Sequence, residues 1–256
     1  IIPREYGERL LEHFVDFEMD TIISFSEFQA SSSSHQRKFR LPVGKNLLVE
    51  NILCSLVDLR RKPTKQFIMN YSAIVKDQED RKFLSQIANE KASFDDWINE
   101  RQPVSIIDVI DEFKPSEDEF DRLLEILPTL LPRKFSITSS PNVHLDEIHL
   151  CAAVESETFL NGSFEGVCSQ YWISLMSKDN SEVYAYVEKA NEAFCVPPDD
   201  KPMILVSAGT GFAPMRGFLH ERKFRGATGA NIVFFGCRTE ENDMLYRDEL
   251  KEWEKS

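Results

Sequence analysis

The chain has 256 residues, and its 43 Asp and Glu outnumber its 30 Lys and Arg to give a net charge of −13. This balance argues against nucleic acid as a partner, because phosphate backbones are bound through clustered cations. No apolar run approaches the roughly 18 residues that cross a bilayer, so we predict no transmembrane segment in this chain. The acidic surface suits a basic redox partner, although solubility alone explains it equally well.

The five cysteines are scattered, without the spacing of a zinc site. They predict free thiols in a reducing, cytoplasmic compartment and no metal ion. The chain begins at Ile1 rather than Met and stops at Ser256 inside a charged, helix-like stretch. We therefore expect a piece of a longer protein, for which a membrane tether in an upstream segment stays open.

The first half of the chain is predicted to be mainly helical. Residues 5–18 carry apolar side chains at three- and four-residue spacing, which indicates an amphipathic helix. Thr21–Phe28 is strand-like, and a polar loop over residues 31–38 follows it. From Leu47 to Pro128 the helical pattern is interrupted only by prolines and cap-like residues. This block contains no chemical motif, so its predicted role is spacing and packing.

The pattern changes after Pro132. The segments Arg133–Ser140, Glu147–Glu155 and Ser181–Glu188 predict strands, and Phe164–Cys168 predicts the opening of a helix. Several strands around one short helix favour an antiparallel barrel.

A second change follows at Met203. Met203–Val206 and Ile232–Phe235 are continuous apolar strands, whereas Ala213–Lys223 and Tyr246–Glu254 have helical patterns. The alternation of strands and helices, with both strands apolar, predicts an α/β region whose parallel sheet is covered on both faces.

A glycine loop, Gly209-Thr210-Gly211, stands between the first of these strands and its helix. Glycines let a backbone approach a diphosphate, the helix N-terminus offers free N–H groups, and Thr210 adds a hydroxyl. Pro214 favours a helix start at this point. A Gly-x-Gly pattern alone is more typical of an ordinary tight turn. No Lys-Ser/Thr pair follows, which disfavours a kinase-type phosphate loop.

Cys237 and Arg238 end the next strand. Ligands of open parallel sheets bind beyond the carboxyl ends of the strands, so these two residues are expected beside the glycine loop. Arg238 suits a phosphate or ribose, and Cys237 suits the lining of a nicotinamide pocket. The alternative for Cys237 is a small buried residue.

Two earlier segments have the chemistry to hold a flavin nucleotide. On a strand, Arg133 and Phe135 share one face, where Arg133 suits a pyrophosphate and Phe135 a flat ring. The hydroxyl of Ser136 suits the flavin N5. The alternative is a core Phe with a surface Arg. Gly166–Ser169 begins a helix and forms a second phosphate-type N-terminus, for which a simple N-cap is the alternative.

The order and spacing of these motifs resemble the FAD/NADPH half of the diflavin reductases. This family includes the NADPH–cytochrome reductases, the reductase part of self-sufficient hydroxylases, the sulfite reductase flavoprotein and nitric oxide synthase. The resemblance rests on Leu130–Pro141, Ala208–Phe218 and Phe235–Arg238. The sequence departs from the family pattern where Phe135 replaces a usual Tyr and where Ser207-Ala208 replaces Gly-Pro.

The resemblance implies a fold and an organisation. It implies an antiparallel FAD-binding barrel with a helical connecting insert, followed by a partial Rossmann-like NADP-binding domain. Residues 1–126 would form the barrel edge and the helical connecting region, residues 127–197 the FAD-binding barrel, and residues 198–256 a truncated NADP-binding domain.

The resemblance also implies which residues bind the cofactors. FAD would be bound by Arg133, Lys134, Phe135, Ser136, Cys151, Ala152, Ala153, Gly166, Val167, Cys168 and Ser169, with Ser136 as the catalytic residue at the isoalloxazine. NADPH would be bound by Gly209, Thr210, Gly211, Cys237 and Arg238.

The implied function is hydride transfer from NADPH to FAD. Electrons would then pass to FMN in an upstream domain of the same protein and onward to a haem protein or another one-electron acceptor. The alternative is a non-catalytic or truncated FAD-binding or interaction module.

Overall fold

The computed structural model describes residues 1–24, 45–176 and 181–255. Their contacts divide the chain into two compact units. The first unit contains Ile1–Pro132 and Glu155–Ser177, and the second contains Arg133–Val154 and Lys178–Ser256.

Helices dominate the first unit, as predicted for its central block. They are α1 (Arg4–Leu11), α2 (Val49–Ser55), α3 (Lys65–Ser72), α4 (Gln78–Asn89), α5 (Lys91–Glu100), α6 (Ile106–Glu112), α7 (Phe120–Ile126) and α8 (Val167–Met176). Two antiparallel pairs accompany them: β1 (Ile22–Ser24) with β2 (Asn46–Leu48), and β3 (Ser156–Phe159) with β4 (Gly162–Glu165).

Side-chain caps define where several of these helices begin. The Asp77 carboxylate accepts from two backbone N–H groups of the first turn of α4, and Thr64 accepts from the Phe67 N–H at the start of α3. Ser105 and Asp108 form a reciprocal capping box on α6. Each cap satisfies N–H groups that have no partner within the helix, and typically contributes about 1 kcal/mol.

One apolar core holds the first unit together. It includes the fully buried side chains of Leu10, Ile52, Tyr71, Ile107 and Leu123. Because these residues lie on different helices, their packing stabilises short helices that would be marginal alone.

The first helix is shorter than the predicted 5–18, because it ends at Leu11. A tighter turn follows, in which the Phe14 N–H donates to the Leu11 carbonyl over 3.0 Å. Phe14 and Phe17 nevertheless pack on Phe120, with ring centroids 4.9 and 4.1 Å away. Packing of these two rings on Phe120, with Phe14 buried and Phe17 half-buried, explains why the apolar spacing continues past the helix.

The second unit is built on a parallel pair of strands. β5 (Met203–Ala208) pairs with β6 (Asn231–Gly236), and the register runs from Met203 opposite Asn231 to Ala208 opposite Gly236. A single 3-10 turn (Gly209–Phe212) leads from β5 into α9 (Ala213–Arg225). The short helix α10 (Glu240–Asp243) and α11 (Arg247–Trp253) follow β6. The predicted order of two parallel strands, each followed by a helix, is confirmed.

In the part of the chain that the structure describes, only one face of this pair is covered, which corrects the prediction of two covered faces. Met203 and Leu205 are buried against the core around α9. Ile204 and Val206 alternate with them and are 64% and 68% exposed. On β6, Phe234 is likewise 58% exposed.

The strands predicted after Pro132 are largely absent from the described residues, and no closed barrel is formed there. Arg133–Ser140 and Glu147–Glu155 form no strands and pair as β-structure at one isolated antiparallel bridge, between Ile137 and Leu150. Ser181–Glu188 has no strand. The helix predicted to open within Phe164–Cys168 does begin there, at Val167, whereas Phe164 itself lies in β4. Alternation along one segment reveals its two faces but not its partner, and a strand requires a partner.

β1 falls inside the predicted strand Thr21–Phe28, whose residues 25–28, with the predicted loop 31–38, lie outside the described residues. Within the described ranges, no helix is both long enough and apolar enough to span a membrane.

Candidate functional site

The glycine loop has an open and sharply turned backbone. Gly209 has a φ of +50°, in the left-handed region that glycine tolerates without a steric penalty. A Cβ placed on Gly209 or on Gly211 would meet no atom within 4 Å. Thr210 between them is exposed. The loop therefore presents backbone and one hydroxyl to solvent, and its geometry fits the approach of a diphosphate.

Buried side chains fix this loop at the start of a helix. Phe212, the last residue of the turn, is completely buried, and its ring centroid lies 5.2 Å from that of Phe235 on β6. Pro214 stands in the first turn of the 13-residue α9. The first N–H groups of α9 have no intrahelical acceptors, and the helix dipole adds a partial positive charge. An anion is the ligand that this arrangement favours.

Cys237 and Arg238 leave the sheet at the same edge as the loop. The register pairs Ala208 with Gly236, so the residues that follow each strand emerge side by side. A Cβ on Gly236 would come within 3.1 Å of the Ala208 Cβ, so the two strands approach closely here. Cys237 and Arg238 are both exposed. The alternative interpretation of Cys237 as a small buried residue is therefore wrong.

The segment predicted to hold the flavin lies in the second unit. Arg133, Lys134 and Ser136 are exposed, and Phe135 is half-buried, which disfavours a core role for the ring. The Lys134 ammonium pairs with the Glu188 carboxylate.

A short antiparallel contact joins the end of this segment to residues 149 and 150. The Thr138 N–H donates to the His149 carbonyl over 2.9 Å, next to the bridge between Ile137 and Leu150. Cys151 follows directly and is half-buried, whereas Ala152 and Ala153 are exposed.

Helix α9 is attached to the same segment by Arg216, for which no role was predicted from the sequence. The Arg216 Nη1 donates to the Thr138 carbonyl over 3.0 Å, and its Cζ lies 4.6 Å from the centroid of the Tyr246 ring. A Cβ on Gly217 would lie 3.3 Å from the Ser139 carbonyl oxygen, so a larger residue would crowd this contact. The segment that begins at Arg133 is thus attached to the helix that follows the glycine loop.

Glu249 of α11 holds Arg216 in place. Its carboxylate accepts from Arg216 Nε over 2.6 Å and from Nη2 over 3.1 Å, and it is hydrogen bonded to His220 Nε2 over 2.7 Å. Burial by itself would raise the pKa of Glu249, but the hydrogen bonds from Arg216 and His220 outweigh it and the net pKa is lowered. A two-pronged guanidinium–carboxylate pair of this kind is directional as well as strong.

Glu221, for which no role was predicted either, attaches α9 to Ser140 and Asn142 about one turn further along the helix. Its carboxylate, 7% exposed, accepts from Ser140 Oγ over 2.5 Å, from Asn142 Nδ2 over 2.8 Å and from Arg225 Nε over 2.6 Å. Burial would raise the pKa of Glu221, but these three hydrogen bonds lower it overall.

The four-residue spacing of these residues is a signal in the sequence that they share a helix face. Arg216 with His220, and Gly217 with Glu221, lie four positions apart and so share a helix face.

Gly166–Ser169 lies in the first unit and begins α8. The Gly166 N–H donates to the Glu155 carbonyl over 2.8 Å, and a Cβ on Gly166 would come within 2.8 Å of Glu155 Cβ. The buried Ser169 hydroxyl donates to the Gly166 carbonyl over 3.0 Å and accepts from the Glu155 N–H over 3.2 Å. Val167 and Cys168 are half-buried, at the first turn of this 10-residue helix.

Two family profiles match the chain. The FAD binding domain matches residues 5–171, and the oxidoreductase NAD-binding domain matches residues 205–256. The first match covers more than half of the chain.

Curated relatives agree with these profiles. A bifunctional cytochrome P450/NADPH–P450 reductase of Bacillus subtilis is 29% identical over 98% of the chain and 24% of its own length. The NADPH–cytochrome P450 reductase of Drosophila melanogaster is 30% identical over 93% of the chain and 36% of its own length. A nitric oxide synthase-like protein of Bombyx mori is 33% identical over 83% of the chain and 20% of its own length. The chain thus spans a minor part of each of these relatives, and it belongs to the FAD binding domain family as the FAD/NADPH portion of a diflavin reductase.

Proposed function

We propose that this chain takes a hydride from NADPH and passes it to FAD. The observation that carries the proposal is the attachment of Thr138 to Arg216. It joins the segment proposed to hold the flavin to the helix that extends from the glycine loop. Hydride transfer requires two cofactors held in a fixed relation, because reacting atoms must approach to about 3–3.5 Å.

The glycine loop is proposed to hold the diphosphate of NADPH. Gly209 and Gly211 leave room for close approach, while Thr210 supplies a hydroxyl donor. The first N–H groups of α9 and the partial positive charge of the helix dipole both lie at the N-terminus of α9, next to the loop, where they favour an anion. Cys237 and Arg238, at the adjacent strand end, are proposed to contact the nicotinamide nucleotide. The exposed Arg238 guanidinium suits a phosphate or a ribose hydroxyl.

The segment Arg133–Ser136 is proposed to bind FAD. Arg133 would pair with a phosphate, and the half-buried Phe135 ring would stack on a flat ring of the cofactor. Ser136 would donate a hydrogen bond toward the flavin N5 and steady the charge there. Lys134 would contribute positive charge, which its pairing with Glu188 partly neutralises. Cys151, Ala152 and Ala153 would line the adenine and flavin side.

Gly166–Ser169 is still proposed to bind the FAD pyrophosphate, but through backbone N–H groups rather than through the Ser169 hydroxyl. The Ser169 hydroxyl already serves Gly166 and Glu155, so it braces the loop. The backbone N–H groups of Val167 and Cys168, in the first helical turn, remain the natural phosphate donors.

When bound, the two cofactors supply the redox chemistry itself. The chain's residues bind the cofactors, orient them and exclude water from them. Beyond FAD, we propose an FMN domain of the same protein and then a haem protein or other one-electron acceptor. Relatives named as bifunctional cytochrome P450/NADPH–P450 reductases support a haem protein as the acceptor.

Cofactor binding by single-residue variants tests the proposal. The purified chain is reconstituted with FAD, and bound flavin is quantified after gel filtration for wild type, Arg133→Ala and the control Arg122→Ala, whose guanidinium pairs with Glu119 in the first unit. We expect Arg133→Ala to lose most of its FAD and Arg122→Ala to keep it. Full retention of FAD by Arg133→Ala would refute the assigned role.

A further inference from the structure

Three side chains with metal-ligating atoms converge on the loop that follows Ser140. His144, Glu147 and His149 offer one ligand atom each, and these atoms all lie within 4.8 Å of one another. The His149 Nε2 lies 2.8 Å from Glu147 Oε2, and the His144 Nδ1 lies 3.9 Å from the same oxygen. The two imidazole ring centroids are 4.2 Å apart.

The backbone holds both ends of this loop. At the first end, the His144 N–H donates to the Ser140 carbonyl over 2.9 Å. At the second, the His149 N–H donates to Ser139 Oγ over 3.0 Å, and its carbonyl accepts from the Thr138 N–H over 2.9 Å. Two of the three ligands are therefore fixed at the backbone before any ion binds, which lowers the cost of ordering a site.

Neighbouring residues outside the three ligands hold the His144 ring in place. The His144 ring stacks on the His220 ring with centroids 5.5 Å apart and planes at 29°, and His220 is held in turn by Glu249. Such outer contacts orient the ligating groups of metal sites. The Glu147 side chain is 68% exposed, and those of His144 and His149 are 27% and 34% exposed. An ion would therefore have an open position for water.

We propose that His144, Glu147 and His149 form a binding site for a divalent transition-metal ion of the Zn²⁺ class. Two imidazoles and one carboxylate, with water in a fourth position, are a ligand set that zinc accepts in tetrahedral geometry. Mg²⁺ and Ca²⁺ prefer oxygen ligands and are disfavoured. The net charge of −13 favours cations in general. The bound ion would brace the 144–149 loop against the segment that contains Thr138 and Ser139.

No metal site was predicted from the sequence, because the cysteines lack the spacing of a zinc site. The pattern His-x-x-Glu-x-His carries the ligands in an irregular loop, where neither helical nor strand periodicity would bring them together. Only the turn after Ser140 does so.

Calorimetric titration of the full chain with ZnCl₂, in phosphate-free buffer after treatment with a chelator, tests this site. We expect one ion bound per chain and much weaker binding of MgCl₂. Loss of even an outer-shell partner typically lowers metal affinity about 10–100-fold, so Glu147→Gln, His144→Gln and His149→Gln should each weaken binding by at least about tenfold. Glu147→Gln, at the most exposed ligand, keeps the test informative if a histidine variant does not fold.

Two matched controls separate the site from general charge and from histidine content. Asp146→Asn removes the same charge one residue away, and His13→Gln removes a histidine that pairs with Asp111 in the first unit. Both should bind zinc like the wild type. Equal affinity of wild type and all three ligand variants would overturn the proposal, as would a Co²⁺ spectrum with a sulfur-to-metal band, because the ion would then be held by thiolates.

Thermal unfolding gives a readout that is independent of activity. An ion that binds only the folded state multiplies the folding equilibrium constant by about 100 at a free concentration of 100 times its dissociation constant. Zinc should therefore raise the unfolding temperature of the wild type but not that of Glu147→Gln. An equal rise in both would contradict the site.

Discussion

The Arg216 guanidinium donates to the Thr138 carbonyl over 3.0 Å, across 78 positions of the sequence. This hydrogen bond ties the end of the segment that begins at Arg133 to the first turns of α9. Glu249 fixes the same guanidinium through two further bonds of 2.6 and 3.1 Å. Arg216 thus acts as a positioning residue between the two proposed cofactor segments.

Replacement of Arg216 by Gln should destabilise the second unit. The change leaves the partly buried Glu249 without its cationic partner, and hydrogen bonds to charged groups contribute about 1.5–3 kcal/mol each. We expect a loss of about 2–4 kcal/mol in the free energy of unfolding, measured in urea. Arg247→Gln, on the more exposed Arg247 that pairs with its neighbour Asp248, serves as the control and should change stability by less than about 0.5 kcal/mol. Equal effects of the two variants would argue against the role of Arg216.

The two glycines of the loop should respond differently to alanine. Gly209→Ala places a side chain at a φ of +50° and should cost about 1 kcal/mol of stability, because this backbone region is unfavourable for residues with a Cβ. Gly211→Ala meets no atom within 4 Å and should leave stability unchanged. Its methyl group would nevertheless hinder the approach of a diphosphate, so the KM for NADPH should rise by about tenfold or more. An unchanged KM in Gly211→Ala would count against the proposed diphosphate site.

Acid should weaken the second unit through Glu221. Its folded pKa lies below the unfolded value, so its contribution to stability is complete above the unfolded pKa of about 4.3 and is lost as pH falls through the folded pKa. The groups that face it are Ser140, Asn142 and Arg225, and Arg225 also approaches Asp199 at 3.9 Å.

Glu221→Gln removes the titrating group and should flatten the decline of unfolding free energy between about pH 5 and pH 3. The exposed Glu252→Gln gives the matched control. The same slope in wild type and Glu221→Gln would show that other carboxylates cause the decline.

The single covered face of the β5–β6 pair predicts opposite results for neighbouring residues. Leu205→Ala removes a side chain that is 4% exposed and should cost about 2–5 kcal/mol. Val206→Ala removes one that is 68% exposed and should change the free energy of unfolding by less than about 0.5 kcal/mol. Urea unfolding of both variants measures the contrast. A loss at Val206 as large as that at Leu205 would mean that the second face is also packed.

Local patterns predicted β5, the glycine loop, α9 and β6, because each has a signal within a few residues: continuous apolar residues for the strands, and Gly-Thr-Gly before Pro214 for the turn. They failed for Glu147–Glu155, since a strand also depends on a distant partner. They also missed buried charges. Arg222 is 1% exposed, and its Nη2 donates to the carbonyls of Lys201 and Gly229 over 2.9 and 2.7 Å.

Nothing in the local sequence distinguishes Arg222 from an exposed helical arginine. Its burial depends on the carbonyls of Lys201 and Gly229, which precede and follow α9 in the sequence and come together only after folding. A Cβ on Gly229 would overlap the Lys201 carbonyl, so this close approach also requires glycine. The same reasoning applies to Glu221 and Asn142, which meet across 79 positions of the chain.

The most direct measurement is the visible spectrum of the purified, FAD-loaded chain during an anaerobic titration with NADPH. The proposed function predicts that the oxidised flavin band bleaches with a stoichiometry of one NADPH per FAD, and that Gly211→Ala requires more NADPH for the same bleaching rate. A flavin band that stays unchanged at saturating NADPH would contradict hydride transfer within this chain.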